Sequence, residues 1–545
     1  MLYGGMGMSP YGVGRVHRSK RFFWNEPMKR KKLVTILALS GLLALHPAQA
    51  GEREELESLR ETTRALIDAL VEKGILTKEA AEGMVRQAEE KGREKAEAAA
   101  KAEAGVVRVQ YVPESVKREI REQIRQEVVA QAKNERWGDV NAVPEWVGRL
   151  KWEGDLRLRY QGDLFTEGNA PPVVFQAGGV DLDNTTEDRN RWRVRARLGL
   201  NAKLADAVSA GVRITTGNNS DPVSTNQTLG NTGNKYSLVL DRAFVKVDPW
   251  DWVSASGGRI PNPFYSTDLV WDDDLNFEGA AATFKPWPHE IMSAKPFFTV
   301  GAFPLQEVES SDINKARDKW LYAAQAGLNW RSGAFTRWRF GLAYYDYRSV
   351  AGVRNPTPTL NGQYDATAPQ SRQKGNTLYP IDTDANNDGV QTDYVWGLAS
   401  DYRLINFTAS ADLAHFDPIH VILSGDVVKN IGYNKSEVES RVGSGYEDRT
   451  LGWNAKLTLG HPGIRLPGDW QVFLGYRYLE RDAVLDAFTD SDFRLGGTDA
   501  KGFYLGGSYG VDRNTWLSAK WMSADEIDGL PFGVDVLQVD LNARF

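Results

Sequence analysis

The stretch D-V-L-Q-V-D-L-N-A-R-F, residues 535–545, alternates apolar and polar side chains from Leu537 onward. Apolar residues stand at positions 537, 539, 541, 543 and 545, and polar residues stand between them. A period of two indicates a strand with one apolar and one polar face. About ten residues is also the length that a tilted strand needs to cross a bilayer. The stretch therefore predicts a strand of a membrane barrel or of a soluble sandwich, and the preceding sequence has to distinguish them.

The composition excludes several classes of protein. The chain has 545 residues, a net charge of −6, 41% hydrophobic residues and no cysteine. Past the N-terminal region no apolar run reaches the ~18 residues of a membrane-spanning helix, whereas the half-apolar strands of a membrane barrel remain compatible with this hydropathy. The lack of cysteine is typical of a protein exported to an oxidising compartment.

Residues 28–50 contain the three parts of a signal peptide. A basic run at 29–32 is followed by an apolar run at 33–45 and by Ala-Gln-Ala at 48–50. This order predicts export through the inner membrane and cleavage after Ala50. We interpret Met28 as the start of translation and residues 1–27 as an upstream extension that does not belong to the protein.

Residues 51–137 have a helical period rather than a strand period. Leu56, Leu59, Thr63, Leu66 and Leu70 are separated alternately by three and four residues, which is a heptad pattern. The pattern indicates a periplasmic helical segment, either a solvated linker or a coiled-coil stalk that forms a trimer. Residues 138–150 are interpreted as the linker that follows it.

From residue 151 to residue 545, strand-like segments alternate with connections rich in Gly, Asn and Asp. Short and long connections alternate, as periplasmic turns and extracellular loops do in a membrane barrel, and a soluble sandwich has no reason to keep that rhythm. Closure into a barrel also removes unprotected edge strands. We therefore predict an all-β, antiparallel transmembrane barrel of about sixteen strands, an even number as bacterial barrels require. The candidate strands are 152–161, 190–200, 207–216, 237–247, 251–259, 276–285, 294–303, 319–331, 336–347, 404–414, 418–429, 449–460, 469–481, 500–510, 514–523 and 534–545.

The candidate strand at 190–200 shows which face meets lipid. Four arginines alternate there with Trp192, Val194, Ala196, Leu198 and Leu200. An arginine that faced the middle of the bilayer would cost about 2–4 kcal/mol, so the apolar set has to face lipid and the arginines the lumen.

The strand at 237–247 is less regular, because Asp241 is out of phase with its neighbours. That irregularity indicates either a strand at a subunit interface or an error in the assigned phase.

Four segments of the mature chain resemble the "putative porin" family of proteobacterial outer-membrane proteins. The resemblance implies a porin barrel with an N-terminal helical extension. A last strand that ends in Phe545 is similar to the C-terminal strand of Gram-negative outer-membrane barrels, which implies insertion into outer-membrane lipid by the barrel-assembly machinery. We also expect a homotrimer. The four segments are V-E-K-G-I-L-T-K-E-A (71–80), Y-V-P-E-S-V-K-R-E-I-R-E-Q-I-R-Q-E-V (111–128), W-E-G-D-L-R-L-R-Y (152–160) and G-R-I-P-N-P-F-Y-S-T-D-L-V-W-D-D-D-L-N-F-E-G (258–279).

The connection at 260–275 is the third long loop, and in sixteen-stranded general porins that loop folds inward and narrows the pore. Here it is acidic, and an arginine-rich wall could face it. Such a transverse field favours small polar solutes over apolar ones. The alternatives are a solvated surface loop for the acidic residues and ion pairs that fill the wall for the arginines. The acidic candidates are Asp268, Asp272, Asp273, Asp274 and Glu278, and the basic candidates are Arg157, Arg159, Arg191, Arg193, Arg195 and Arg197.

Residues 382–389, D-T-D-A-N-N-D-G, resemble a calcium-binding loop with Asp382, Asp384, Asn386 and Asp388 as candidate ligands. The twelfth position counted from Asp384 is Val395, where an EF-hand has a glutamate, so that motif is incomplete. The pattern is compatible with Ca²⁺ in an extracellular loop or with an ordinary loop rich in Asx turns. No other cofactor is expected.

Enzyme chemistry has little support in the sequence. Only His289, His415, His420 and His461 follow the signal peptide, and their spacing suggests neither a metal site nor a Ser-His pair. No nucleotide-binding loop occurs between a strand and a helix. We predict an outer-membrane porin for passive diffusion of small hydrophilic solutes and ions, not an enzyme and not a partner of nucleic acid. The alternatives are a barrel hydrolase and a structural tether to periplasmic partners.

Overall fold

The computed structural model describes residues 145–287, 293–358, 362–386 and 388–545. The upstream extension (1–27), the predicted signal peptide (28–50) and the predicted helical segment (51–137) lie outside the described residues, as does most of the 138–150 linker. A short 3-10 helix, Glu145–Arg149, leads directly into the first strand.

Sixteen antiparallel strands form a closed barrel, because the first strand, β1, pairs both with β2 and with the last strand, β19. Three short strands, β4, β11 and β12, lie in long loops and add no wall of their own. All sixteen candidate segments contain a barrel strand, so the predicted fold class is confirmed. The strands are β1 Leu150–Phe165, β2 Arg189–Ala205, β3 Val208–Thr215, β4 Gln227–Thr228, β5 Val239–Trp250, β6 Val253–Pro261, β7 Asn276–Phe284, β8 Ala294–Gln306, β9 Lys319–Ser332, β10 Thr336–Arg348, β11 Leu378–Asp382, β12 Val395–Leu398, β13 Arg403–Phe416, β14 Ile419–Asn430, β15 Leu451–Gly460, β16 Trp470–Leu479, β17 Ala500–Asp512, β18 Thr515–Glu526 and β19 Val534–Arg544.

The connections alternate between short turns at one rim and long loops at the other, as the sequence predicts. Two short α-helices, α1 (Pro172–Ala177) and α2 (Lys435–Val442), lie in the long loops. Asn434 caps the second of these helices by accepting hydrogen bonds from the amides of Ser436 and Glu437. Among the described residues no helix is long and apolar enough to cross a membrane.

The last strand has the predicted phase. Val539 and Leu541 are 42% and 45% exposed on the outer surface, whereas Asp540 and Asn542 are 8% and 7% exposed and face the lumen. A one-residue slip would invert both faces, so the pairing of Asp540 with Arg159 of β1 defines the register as well. The apolar set of this strand therefore meets lipid.

A β-bulge explains the irregular strand around Asp241. The register between β3 and β5 shifts there, because Arg213 pairs with Arg242 while Ile214 pairs with Leu240. The extra residue lets Asp241 and Arg242 both point inward, where Asp241 forms a buried ion pair with Arg213. The out-of-phase residue thus reflects neither a misassigned strand nor, of itself, a subunit interface.

Tryptophans mark the short-turn rim of the barrel. Trp250 and Trp252 stack with their ring centroids 5.4 Å apart, and Trp330 and Trp338 stack at 6.4 Å across another turn. All but the last are among the exposed large side chains. Aromatic rings of this kind belong at the boundary between hydrocarbon and headgroups.

Candidate functional site

The loop between β6 and β7, residues 262–275, folds into the barrel and is called the inner loop. At one side of the lumen, Tyr265 donates to Ser410 of β13 at 2.7 Å, and Thr267 donates to Asp426 of β14 at 2.8 Å. At the other side, Asp274 contacts Arg197 of β2 at 2.9 Å. Counted along the barrel wall, β13 is the eighth strand from β2 in either direction. The inner loop therefore crosses the full width of the lumen.

Apolar packing holds the middle of the inner loop in place. Leu269, Val270 and Trp271 are at most 2% exposed and belong to a cluster built from inward-facing residues of the wall. The indole of Trp271 meets the rings of Phe277 and Tyr345 edge-to-face, with centroids 4.8 and 5.1 Å apart. Each such ring pair contributes about 1 kcal/mol beyond the area buried.

A second loop, residues 480–499 between β16 and β17, also folds inward and is called the second inner loop. It is hydrogen-bonded to the inner loop through the main chain: the amide of Asp272 donates to the carbonyl of Phe488 at 2.8 Å. The amide of Ser491 donates to the Asp272 carboxylate at 2.9 Å, and the hydroxyl of Thr489 donates to the carbonyl of Leu269 at 2.8 Å. The two loops form one structural unit.

Residues 370–377 of the β10–β13 connection, called the clamp segment, hold the second inner loop through side-chain hydrogen bonds. Lys374 donates from Nζ to the carbonyls of Leu495 and Gly496, each at 2.7 Å. Gln373 and Asn376 donate to further main-chain carbonyls of the second inner loop. Burial, followed by the positive charge of Arg494, lowers the pKa of Lys374 well below its ordinary value, and the charge of Asp486 offsets only part of this effect.

Two of the four acidic residues of the inner loop contact arginines directly. Asp274 lies 2.9 Å from Arg197 and 3.5 Å from Arg195, while Asp268 lies 2.6 Å from Arg477 of β16. Burial alone would raise the pKa of Asp274, but the positive charges of Arg195 and Arg197 outweigh it and lower that pKa. The inner loop is thus tied by ion pairs to two different parts of the wall.

The other two acidic residues of the inner loop form no ion pair in the described part of the chain, although the charge of Lys520 acts on Asp273. Asp272 is buried, and burial together with the charges of Asp490 and Asp274 raises its pKa well above the ordinary value. Asp273 is the only exposed residue of the inner loop. Its enclosure in the barrel, followed by the charges of Asp268, Asp274 and Asp490, raises its pKa to about 6.

The six predicted arginines lie on β1 and β2, and four of them have carboxylate partners. Arg195 and Arg197 share Asp155 at 3.0 and 2.7 Å in addition to their contacts with Asp274. The remaining pairs are Arg159 with Asp540 at 2.8 Å and with Asp492 of the second inner loop at 3.1 Å, and Arg191 with Asp163 at 3.0 Å.

Arg157 and Arg193 differ from the other four arginines of this wall. Neither forms an ion pair within the described residues. Arg157 donates to the amide oxygen of Asn226, and Arg193 donates to Gln161 at 3.2 Å and to Ser224 at 3.5 Å. Both guanidinium groups are therefore oriented by neutral partners that leave their charge uncompensated.

Glu278 is not part of this arrangement. It lies on β7, where its neighbours Phe277 and Ala281 point into the buried interior cluster. Because side chains alternate along a strand, Glu278 points to the opposite face; its side chain is 59% exposed and pairs with Arg259. Grouping Glu278 with the acidic loop was incorrect, since two residues of strand separate it from the loop.

The carboxylates of the calcium-like motif accept hydrogen bonds from the loop that carries them. Asp382 accepts from the amide of Asp384 at 2.9 Å and from Asn355 at 2.7 Å, and Asp384 accepts from the amides of Asp388 and Gly389 at 3.1 Å. Asn386 donates to Asp388 at 3.1 Å. Within the described residues no group of three or more His, Asp or Glu is arranged to hold a metal ion. The pattern corresponds to nested Asx turns.

A model of the family described as "putative porin" matches residues 60–545. The chain belongs to this porin family. No curated protein matches it. The solved structures that resemble this porin include OprB of Pseudomonas putida at high pH, with 12% identity, a TM-score of 0.43 and coverage of 75% of this chain and 97% of that one. They also include OmpF of Salmonella typhi, with 10% identity, a TM-score of 0.38 and coverage of 73% of this chain and 97% of that one. A third is the outer-membrane channel DcaP of Acinetobacter baumannii, with 10% identity, a TM-score of 0.37 and coverage of 73% of this chain and 97% of that one.

Sequence reasoning did not anticipate the second inner loop of this porin, or Asp490 and Asp492 as partners of wall arginines. One signal was available. The connection at 482–499 contains Val484, Leu485, Phe488 and Phe493, whereas a solvated extracellular loop has no use for so many large apolar residues. All four pack in interior clusters.

Proposed function

We propose that this outer-membrane porin conducts small hydrophilic solutes and ions passively, and that the inner loop forms its constriction opposite the β1–β2 arginine wall. The crossing of the lumen by the inner loop, from Asp426 on β14 to Arg197 on β2, carries this proposal. A loop that spans a water-filled barrel leaves solutes only the space beside it. Pore width and lining charge then set the conductance and the ion preference.

The electrostatic part of the proposal rests on which charges are free. Asp274 and Asp268 are paired with arginines, so they contribute little net field. Asp273 faces the lumen and forms no ion pair in the described chain, so it supplies the negative side. Arg157 and Arg193 supply the positive side, since their hydrogen-bond partners are neutral. The field across the passage favours polar over apolar solutes.

Reconstitution of the purified protein in planar bilayers tests the proposal. Stepwise conductance is expected, because the barrel encloses polar groups from its full circumference. Replacing Asp272, Asp273 and Asp274 together by Asn should shift the reversal potential toward anion preference at ~0.1 M salt, where the Debye length is about 10 Å. Replacing Arg193, Arg195 and Arg197 by Gln should shift it toward cations. A triple-Asn protein with unchanged selectivity, beside an arginine variant that does change, would show that the inner loop is not the constriction.

The proposal also includes a homotrimer that is inserted by the barrel-assembly machinery, with residues 51–137 in the periplasm. One of the similar solved structures, OmpT of Vibrio cholerae, is described as a trimer form. Chemical cross-linking in native outer membranes should give a trimer band for the full chain. Loss of that band, with conductance kept, in a protein lacking residues 51–137 would assign trimer formation to that segment.

A further inference from the structure

Two pairs of arginines face each other directly on the β1–β2 wall. Arg157 is the cross-strand partner of Arg195, and Arg159 is the partner of Arg193. Like charges at opposed positions destabilise a sheet. In each pair one arginine is compensated, Arg195 by Asp155 and Asp274, and Arg159 by Asp540 and Asp492. The other member of each pair, Arg157 or Arg193, keeps its charge.

These two uncompensated arginines are diagonal neighbours on the same inner face. In an antiparallel pair, diagonal positions lie about 7 Å apart, within reach of long side chains. Both side chains are only partly buried, so the lumen reaches them. The carboxylates whose charge acts on this pair are already engaged: Asp492 and Asp540 by Arg159, and Asp163 by Arg191. Asp492 also interacts with Lys520 of β18. The neighbourhood of Arg157 and Arg193 therefore carries a net positive charge.

The hydrogen-bond partners of Arg157 and Arg193 leave both positive charges available to a ligand. Asn226 and Ser224 come from the β3–β5 connection and Gln161 from β1, and all three are neutral. They orient the two guanidinium groups without cancelling their charge. A guanidinium group presents a planar set of N–H donors that can form two parallel hydrogen bonds with the two oxygens of an oxyanion. A chloride ion is a single atom and cannot accept such a bidentate pair.

We propose that Arg157 and Arg193 form a binding site for the oxyanion group of small solutes, a carboxylate or a phosphate, on the β1–β2 wall. The site rests on the proposed channel function, because it acts on solutes that enter the lumen. Four of the six wall arginines are structural, since carboxylates of the chain itself occupy them. The uncompensated pair is the part of the wall that selects solutes.

Two substitutions change the site without removing the barrel wall. Asn226→Asp is nearly isosteric and places a carboxylate on Arg157, so the chain itself would then fill the ligand position. Arg193→Gln removes the second guanidinium. Asn329→Asp is the matched control: it adds the same charge on the face of β9 shared with the buried Gln325, six strands from β2 along the barrel wall.

The measurement is the single-channel chloride current, with millimolar potassium acetate, inorganic phosphate or glucose added. In the unmodified protein, acetate or phosphate should reduce the current, and glucose should not. Asn226→Asp and Arg193→Gln should each weaken that block about tenfold, as expected when a charge-assisted hydrogen bond is lost. The Asn329→Asp protein should be blocked like the unmodified one. Block by acetate alone assigns the site to carboxylates, and block by phosphate alone assigns it to phosphates.

Several outcomes would overturn the site. One is a block that both test variants leave unchanged, and another is an equal loss of block in Asn329→Asp, since either would mean that the general field of the lumen is responsible. A conducting protein that no oxyanion blocks also contradicts the site while leaving the channel intact. A folded protein that carries no current overturns the channel function itself, and the site with it.

Discussion

The two loops that fold into the barrel differ in what they expose. No residue of the second inner loop, 480–499, is exposed, and its carboxylates Asp490 and Asp492 are paired with Arg477 of β16 and with Arg159 of β1. The inner loop, 262–275, has one exposed residue, Asp273, and that residue is a carboxylate that forms no ion pair in the described chain. The second inner loop therefore mainly occupies volume, whereas the inner loop supplies charge.

The largest expected effect follows from removing the volume that the second inner loop occupies. Replacing residues 483–497 by a short Gly-Asn-Gly turn should raise single-channel conductance at least about twofold, because pore cross-section limits ion flow. Conductance in ~1 M KCl checks this, since surface charge is screened there. The variant must keep the electrophoretic mobility of a folded barrel in unheated samples. Unchanged conductance in a folded variant would mean that the second inner loop lies beside the conducting path.

A smaller effect is expected from the charge of the inner loop. Asp273 has a pKa of about 6, raised by its enclosure in the barrel and by nearby carboxylates, so it is ionised at pH 8 and largely protonated at pH 5. Cation preference at ~0.1 M salt should therefore fall as the pH drops through 6, by about twofold in permeability ratio. Asp273→Asn should have the low preference at both pH values. Glu278→Gln is the matched control, because its side chain lies on the opposite face of β7, and it should retain the pH dependence. A pH dependence that survives in Asp273→Asn would assign it to another group, such as Asp272.

The smallest effect concerns stability rather than transport. Burial raises the pKa of Asp486 in the second inner loop to about 7. The folded state therefore holds a proton that the unfolded chain releases near pH 4, so this residue makes folding less favourable as the pH rises from about 4 to 7. Asp486→Asn should remove that part of the pH dependence and raise the unfolding temperature at pH 8 by a few degrees, with little change in selectivity. Circular dichroism melting in detergent at pH 5 and pH 8 measures both. An equal gain at both pH values would contradict the assignment.

The phase of each regular strand follows from the sequence, and so does the function class. Leu541 outside and Asp540 inside, or Trp192 outside and Arg193 inside, are local consequences of a period of two, and the cost of placing arginine in lipid decides between the faces. The count of sixteen and the alternation of short and long connections follow from the same local pattern. The acidic residues of the third long loop can also be read directly from the sequence.

Only the tertiary structure decided which of those charges are free. Asp272, Asp273 and Asp274 are consecutive, yet each meets a different distant segment. Among the described residues, Asp272 is buried and forms no ion pair, Asp273 faces the lumen and Asp274 is paired with arginines. The inward turn of Asp241 depends on a bulge that arises from pairing with β3, and the second inner loop depends on the clamp segment more than a hundred residues earlier in the chain. Strand periodicity is encoded by neighbours, whereas loop docking and charge compensation are long-range contacts that no local pattern records.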